Sequence, residues 1–381
     1  MSLEQSKIIP RRKFIKQVGL TAASAALSQT LVARAVESPK IAHLALVGCA
    51  HIHTPSYVNL LKKRKEVKVK YVWDHDAARA AKNAKELGSQ VVEDPKTIWS
   101  DSEIAAAVIC SETNLHPGLV LAAAQAGKHM FAEKPLGITS KESYEMAAAI
   151  EKANLLFTTG YFMRTEPAHI FLKDQIAKGN LGHITRVRGS NCHEGSLGKW
   201  FDTDWRWMAD PKQSGVGAFG DLGTHTLDIM MWLLGDVESI TADIKTVTRH
   251  YDDCDESGEA LMKFKNGVTG TLAAGWVDVD NPVPLLISGT EGHAVLVNKG
   301  LLFKSSKVEG ADGKQPWLNL PPRLPLPLDQ FVDAVGGKTV TTLVTPAEAA
   351  ARVSVMEAAY KGARKNAWVK PSYGHSNFLN G

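Results

Sequence analysis

The chain has 381 residues, 44% hydrophobic and 22% charged, with 44 Lys and Arg against 40 Asp and Glu for a net charge of +4. That composition is globular and the length suits two domains; the widely spaced Cys49, Cys110, Cys192 and Cys254 form neither a disulfide framework nor a thiolate zinc site. Six basic side chains in the first 35 residues face Glu4 alone, so the rest of the chain carries about −1 and has no net attraction for nucleic acid.

Those first residues read as a leader. Pro10-Arg11-Arg12-Lys13-Phe14-Ile15-Lys16 precedes an uncharged stretch from Gln17 to Ala33, and Ala33-Arg34-Ala35 offers small residues for cleavage. The paired arginines resemble a twin-arginine signal over 1–35, cleaved near Ala35, which implies the twin-arginine export machinery and a periplasmic or secreted destination. The stretch is too rich in Ala, Ser and Thr for a stable membrane span. Export in the folded state suggests a cofactor inserted first and tightly bound.

From Ile41 to about Gly160, apolar runs alternate with helix-like stretches. The runs are Ile41 to Val47, Val67 to Trp73, Ala105 to Cys110, His129 to Ala132 and Leu155 to Thr159; Ala77 to Leu87 and Gly118 to Ala126 are helical. This alternation predicts a doubly wound parallel sheet, a dinucleotide-binding domain over 36–160. The remainder, 161–381, changes to half-buried strands: Ala260, Met262 and Phe264 alternate with polar neighbours, and Asn266-Gly267 and Glu291-Gly292 are hairpin turns. A mostly antiparallel sheet follows. Pro321, Pro322, Pro325 and Pro327 mark a stiff connector before a late helix near 346–365, with Val353, Met356 and Tyr360 on one face, able to pack back on the first domain.

The first run ends at Gly48-Cys49-Ala50-His51-Ile52-His53, where a G-x-G-x-x-G turn would offer N–H groups to a pyrophosphate, although only the first glycine is kept. Asp74 ends the next run, where a carboxylate binds ribose hydroxyls and repels a 2′-phosphate; NAD is expected over NADP. His51 and His53 also form an H-x-H pair, as in a metal hydrolase. That reading needs more ligands, such as His116 and His225, and leaves Asp74 and Lys134 without roles, so the pair is read as a polar rim beside the cofactor phosphates and no metal is assigned.

Ala132-Glu133-Lys134-Pro135 lies where a strand meets the sheet's ligand-binding edge. A lysine there stabilises a substrate oxyanion, or is only a surface lysine at a turn. Asp221 and His225 stand four apart on a helix, hence on one face; His225 suits proton uptake, unless Asp221 merely caps the helix and His225 is a core residue.

On the residues Glu133 to Pro135, Ala126 to His129, and the D-x-G-x-H-x-x-D run from Asp221 to Asp228, the chain from Ile41 to Pro371 resembles the Gfo/Idh/MocA oxidoreductases. Asn114 and His116, Arg164 with Pro167, and Trp205-Arg206 support the likeness. The resemblance implies an α/β fold: an N-terminal Rossmann domain plus a C-terminal α/β domain with a large open sheet, used for homo-oligomer contacts. It implies Lys134 and His225 as the catalytic pair, Asp221 assisting, and Asp228 as polar support. Gly48, Ala50, His51, His53, Asp74, Ser111, Asn114, His116, Glu133, Lys134 and Arg164 would surround the cofactor. Two departures stand out, the altered glycine turn and Ser111-Glu112-Thr113-Asn114 in place of a T-P-x-N-type loop.

Trp200-Phe201-Asp202-Thr203-Asp204-Trp205-Arg206-Trp207 mixes aromatic faces with charges, which suits a sugar or polyol, or else is core aromatics with solvated charges between. Lys134, Arg164, Trp205, Arg206, Asp221 and His225 form the expected substrate set, and His193, Glu194 and Lys199 could extend it. The activity read is an NAD(P)-dependent oxidoreductase acting on CH–OH groups of carbohydrates. The alternatives are a redox-neutral glycosidase that oxidises, eliminates, hydrates and re-reduces, a non-catalytic sugar or nucleotide sensor, and the metal hydrolase.

Overall fold

The computed structural model describes residues 41–374 apart from Lys299, so the leader expected over 1–35 lies outside the described residues. The first sheet is built from β1 (Ala42–Val47), β2 (Val67–Trp73), β3 (Gln90–Val91), β4 (Ile104–Ile109), β5 (His129–Ala132) and β6 (Phe157–Thr159). They pair in parallel in the order β3-β2-β1-β4-β5-β6. Helices α1 (Thr54–Lys63), α2 (Ala77–Leu87), α3 (Lys96–Ser100), α4 (His116–Gln125) and α5 (Ser140–Lys152) connect them. Helices cover both faces of such a sheet, which is why Leu44, Ala45, Leu46 and Val47 are all buried rather than alternating. The order reverses between β1 and β4, and a crevice opens there at the strands' carboxyl ends.

The runs Val67 to Trp73, Ala77 to Leu87 and His129 to Ala132 coincide with β2, α2 and β5. Asp76 starts α2 by accepting from the N–H groups of Ala78 and Arg79, and Gly88 ends it in the left-handed conformation. Helices α1 and α5 carry weaker apolar signals; α5 starts instead at a capping box of Thr139 and Glu142.

After α6 (Pro167–Ala177) comes the second sheet: β7 (Ile184–Cys192), β8 (Val237–Lys245), β9 (Ser257–Phe264), β10 (Thr269–Gly275), β11 (Leu285–Gly289), β12 (Gly292–Val297), β13 (Gly300–Ser305) and β14 (Asp312–Pro316). Its order is β14-β13-β12-β11-β7-β10-β9-β8. Every pairing is antiparallel except β7 with β10. In β9 the buried residues Ala260, Met262 and Phe264 alternate with exposed Glu259, Leu261 and Lys263, as the pattern predicts. Gly267 turns β9 into β10 with φ +88°; Gly292 already belongs to β12, so that turn falls one residue earlier than expected.

The short α7 (Pro211–Ser214) leads into α8 (Ala218–Leu234), buried along its length apart from Trp232 and laid against β7, β9 and β10. The proline connector is shorter than expected, because Pro327 opens a helix, α9 (Pro327–Val335). Leu328, Phe331 and Val332 of α9 join Leu44, Leu46 and Val58 in the first sheet's core, each worth roughly 1.5–3 kcal/mol of apolar burial. Helix α10 (Pro346–Lys365) then serves both halves. Ala349, Ala350 and Val353 enter the first sheet's core, and Ala351, Val355, Met356 and Ala359 the second's. The chain thus returns to the dinucleotide half after building the second sheet. All four cysteines are free, and among the described residues no helix is long and apolar enough to cross a membrane.

Candidate active site

Three loops meet at the first sheet's carboxyl edge: those after β1, β4 and β5. Gly48 has φ +79°, and a Cβ there would lie 2.5 Å from the Ser111 backbone, so only glycine fits. Ala50 is tied down from the second half of the molecule, its carbonyl accepting from the Trp207 indole N–H at 3.0 Å. Beside this turn lies a cavity of about 380 Å³ lined by Cys49, Ala50, His51, Arg79, Lys82 and Trp205 among others.

Asp74 does different work from that expected. Its Oδ2 accepts from the Cys49 N–H at 2.6 Å; its Oδ1 accepts from the Asp76 N–H at 2.7 Å and from Arg79 Nη2 at 2.9 Å. The side chain is wholly covered. A carboxylate so filled anchors the turn, and Arg79, which also pairs with Glu112 at 2.8 Å, is the group that lines the cavity. The cationic Arg79 and Lys82 on the cavity wall, facing the β1 turn at Cys49 and Ala50, fit a polar phosphorylated cofactor.

The catalytic cluster forms across the two halves. Lys134, after β5, puts Nζ 2.7 Å from Asp221 Oδ1 on α8; Asp221 Oδ2 accepts from the Trp276 indole N–H at 3.3 Å. Burial works to raise the Asp221 carboxyl, but the Lys134 ammonium more than offsets it and holds the pKa at about 2. One turn along, His225 is buried against Phe162 and Tyr161, with ring centroids 5.0 and 6.1 Å away. Burial, reinforced by Lys134, keeps its imidazole well below the ordinary pKa and therefore neutral. Its Nδ1 is buried and has no partner among the described residues. A buried polar atom without a partner is unusual in a folded protein.

Glu133 is fully buried and faces the β1 turn. His53 Nδ1 lies 2.9 Å and His51 Nδ1 3.7 Å from its Oε1, and Tyr57 donates to the same oxygen. Burial presses His51 down to about 3 against the opposing pull of Glu133. The side chain that stands beside the H-x-H pair is Glu133, not the His116 or His225 nominated as further ligands.

Several expected residues are placed elsewhere. Arg164 is locked by Asp228 through Nε at 2.8 Å and Nη2 at 2.6 Å, with Glu348 2.9 Å from Nη1, and it lines a separate cavity with Trp232 and Gln330. Its guanidinium is satisfied by two carboxylates, so it supports the fold and is not part of the catalytic cluster. Arg206 is exposed, donating to the Ala209 carbonyl and lying 4.8 Å over the Tyr251 ring. His116 points its Nδ1 at the carbonyls of Pro135 and Leu136, so it braces the lysine loop. Asn114 is exposed, and Ser111 donates to the Glu112 carbonyl. In the aromatic segment Phe201 and Trp207 are core, while Trp205 lines the cofactor cavity and Trp200 stacks on His193 at 4.6 Å.

Sequence reasoning missed Tyr57, Arg79 and Trp276. Arg79 alone left a signal, being five residues past Asp74 and in the first turn of α2.

Comparison with known proteins agrees with this fold. A model described as "Oxidoreductase family, NAD-binding Rossmann fold" matches residues 42–161, and a GFO/IDH/MocA C-terminal domain model matches 169–295. The chain is 29% identical over 241 residues to levoglucosan dehydrogenase of Pseudarthrobacter phenanthrenivorans, covering 57% of this chain and 61% of that protein. It is 27% identical over 261 residues to scyllo-inositol 2-dehydrogenase (NAD(+)) of Bacillus subtilis, covering 65% of this chain and 71% of that one. Among solved structures, a levoglucosan dehydrogenase complex with NADH superposes with a TM-score of 0.70 at 22% identity, covering 87% of this chain and 99% of that chain. The WlbA dehydrogenase of Bordetella pertussis, in complex with NADH and UDP-GlcNAcA, gives 0.75 at 19% identity, covering 88% and 100%. These structural likenesses speak for the fold.

Proposed function

The chain belongs to the Gfo/Idh/MocA oxidoreductases, with an NAD-binding Rossmann domain over 42–161, and from that premise we propose that it moves a hydride between a sugar or polyol hydroxyl and a tightly held NAD. The observation that carries the proposal is the Lys134–Asp221 pair beside a neutral His225 whose Nδ1 is open. Relatives named for levoglucosan and inositol supply the substrate class.

The cofactor, when bound, supplies the hydride acceptor. Gly48 and the β1 turn, with Arg79 and Lys82 across the cavity, would hold it. Lys134 donates from Nζ to the substrate oxygen and stabilises negative charge there as the hydroxyl loses its proton. His225 accepts that proton on its imidazole, which burial and the nearby ammonium keep neutral at neutral pH. Asp221 and, through it, Trp276 fix the ammonium; without them a four-carbon side chain would wander. His193, stacked on Trp200, and Trp205 offer the sugar's C–H faces a surface.

The test is NADH formation from a panel of polyols and anhydrosugars. Hydride transfer that survives Lys134→Ala and His225→Ala together would place the chemistry elsewhere. The proposal extends to the leader over 1–35: the protein is exported folded by the twin-arginine route, and because free NAD is scarce outside the cytoplasm the nucleotide stays bound through each cycle. Prolonged dialysis that strips the nucleotide absorbance would end that part. The open face of the second sheet, with Leu261 exposed on β9, is assigned to contact with a second copy of the chain, read out by the mass in solution.

A further inference from the structure

Glu133 is 0% exposed, and its carboxylate has no lysine or arginine within ion-pair distance among the described residues. Its neighbour Lys134 is turned away, with its ammonium paired to Asp221. Buried charges in proteins are compensated either by a paired side chain or by a metal ion. What surrounds Glu133 Oε1 is a set of metal ligands: His53 Nδ1 at 2.9 Å, His51 Nδ1 at 3.7 Å, and the Tyr57 hydroxyl. One nitrogen from each imidazole and one carboxylate oxygen all lie within 4.8 Å of one another. Ligands bound tetrahedrally to zinc at about 2.0–2.1 Å stand roughly 3.3–3.4 Å apart, so small side-chain shifts bring the three atoms onto one ion.

The cluster is braced as a metal site requires. Glu133 Oε2 accepts from the Lys134 N–H at 2.8 Å, which fixes the carboxylate plane and leaves Oε1 facing the histidines. On the other side the wall is backbone: a Cβ on Gly160 would come 2.8 Å from Oε2. His51 is 2% exposed and its Nδ1 accepts from the His53 N–H at 3.2 Å, a bond the ion would displace, while the His53 side chain, 32% exposed, gives an ion a way in.

We propose that His51, His53 and Glu133 bind one borderline divalent cation of the Zn²⁺ kind. Two imidazole nitrogens and one carboxylate oxygen form a ligand set zinc takes readily and that Mg²⁺ or Ca²⁺, which prefer all-oxygen shells, does not. The bound ion compensates Glu133 and links the β1 turn to the end of β5. Because His51 also lines the 380 Å³ cavity, the ion adds positive charge at its edge. The proposal does not depend on alcohol oxidation, so its test reads metal content and melting temperature, not turnover.

The full chain is stripped with a chelator, equilibrated with Zn²⁺, dialysed against metal-free buffer and assayed for metal by mass spectrometry, with thermal melts in parallel. The expected result is one Zn²⁺ per chain and a melting temperature that rises with added Zn²⁺, as binding to the folded state alone requires. His53→Ala, a half-exposed position whose loss the fold tolerates, abolishes both effects while melting normally without metal. Glu133→Gln also abolishes them, and His250→Ala, at a surface histidine paired with Asp202, leaves both intact. Substoichiometric zinc in the unmutated chain, zinc retained in full by His53→Ala, or an equal melting shift with Mg²⁺ overturns the proposal.

Discussion

Helix α8 carries two buried carboxylates on one face, Asp221 and Asp228, and the chain has given them opposite tasks. Asp228 is closed on every side: Arg164 binds it through two nitrogens, Arg352 adds Nε at 2.9 Å, and Glu348 balances the second guanidinium. Glu348 is at the same time the capping residue of α10, so the cluster ties the start of that helix to α8. Asp221 holds a single lysine and stands one turn from an imidazole with an open nitrogen. Both clusters are buried acid–base groups, and neither charge nor burial tells them apart. Completeness of partners does: a satisfied network gives rigidity, whereas an unfinished one leaves a valence for substrate.

The sharpest way to break this contrast is to remove one cation or anion from each cluster. Lys134→Met is expected to lower kcat/KM by roughly 10²–10⁴-fold, the usual range for a group acting in proton transfer. Its melting temperature should fall less than that of the Asp228→Ala variant, because a single ion pair is lost and Asp221 keeps the Trp276 indole N–H. Steady-state kinetics beside a thermal melt decide it, and a variant that keeps its rate would refute the catalytic role. Asp228→Ala should do the reverse: two buried guanidiniums lose their shared partner, at a cost of about 3–5 kcal/mol, while turnover per folded molecule changes only a few-fold. Denaturant titration measures the first quantity and active-site-normalised kinetics the second. If Asp228→Ala silences the enzyme without destabilising it, the division of labour along α8 is wrong.

The same contrast explains what the sequence could and could not disclose. Asp221 and His225 were visible together because helical periodicity puts them on one face, and Lys134 because a strand-end lysine before proline lies at the ligand edge; Asp228 entered only through the family resemblance. Arg164 was misplaced for a physical reason: an arginine's partners come from distant segments, here Asp228 on α8 and Glu348 on α10, and no local spacing announces them. Asp74 was located correctly at the end of β2 but misjudged, since the neighbours that fill it, the Cys49 and Asp76 N–H groups and Arg79, depend on how the turn folds over it. The sheets were legible in their alternating and continuous apolar runs. The return of α9 and α10 to the first half was not fully legible, because an amphipathic helix shows that it has a partner and not which one.

A smaller effect comes from His225 itself. Its folded pKa lies well below its ordinary value of 6.5, through burial first and Lys134 second. The unfolded chain therefore binds more protons at this position once the pH drops below about 6.5, and stability is lost as pH falls through that range. One such group contributes a slope of up to ~1.4 kcal/mol per pH unit. His225→Asn should flatten the acid limb of the stability curve by up to that amount between pH about 6.5 and 5. Chemical denaturation across this window measures it, and an unchanged slope would mean the imidazole is not held neutral in the fold.

The smallest expected effect concerns the cofactor end, where a filled carboxylate again meets a cation at the cavity wall. Asp74 is buried beneath Arg79, and Arg79 with Lys82 faces the cavity. Truncating Arg79 to Ala removes a positive charge from the wall and uncovers one Asp74 oxygen, which keeps its bond from the Asp76 N–H and gains room for a ribose hydroxyl. An uncovered carboxylate accepts hydroxyls and repels a 2′-phosphate. Arg79→Ala should therefore shift the ratio of NADH to NADPH affinity towards NADH by about tenfold, ~1.4 kcal/mol, with the larger part of the change in NADPH. Fluorescence titration of both dinucleotides against the two proteins measures the ratio. Equal weakening of both would mean that Arg79 serves the shared part of the cofactor, and that the discrimination between them is made by some other group.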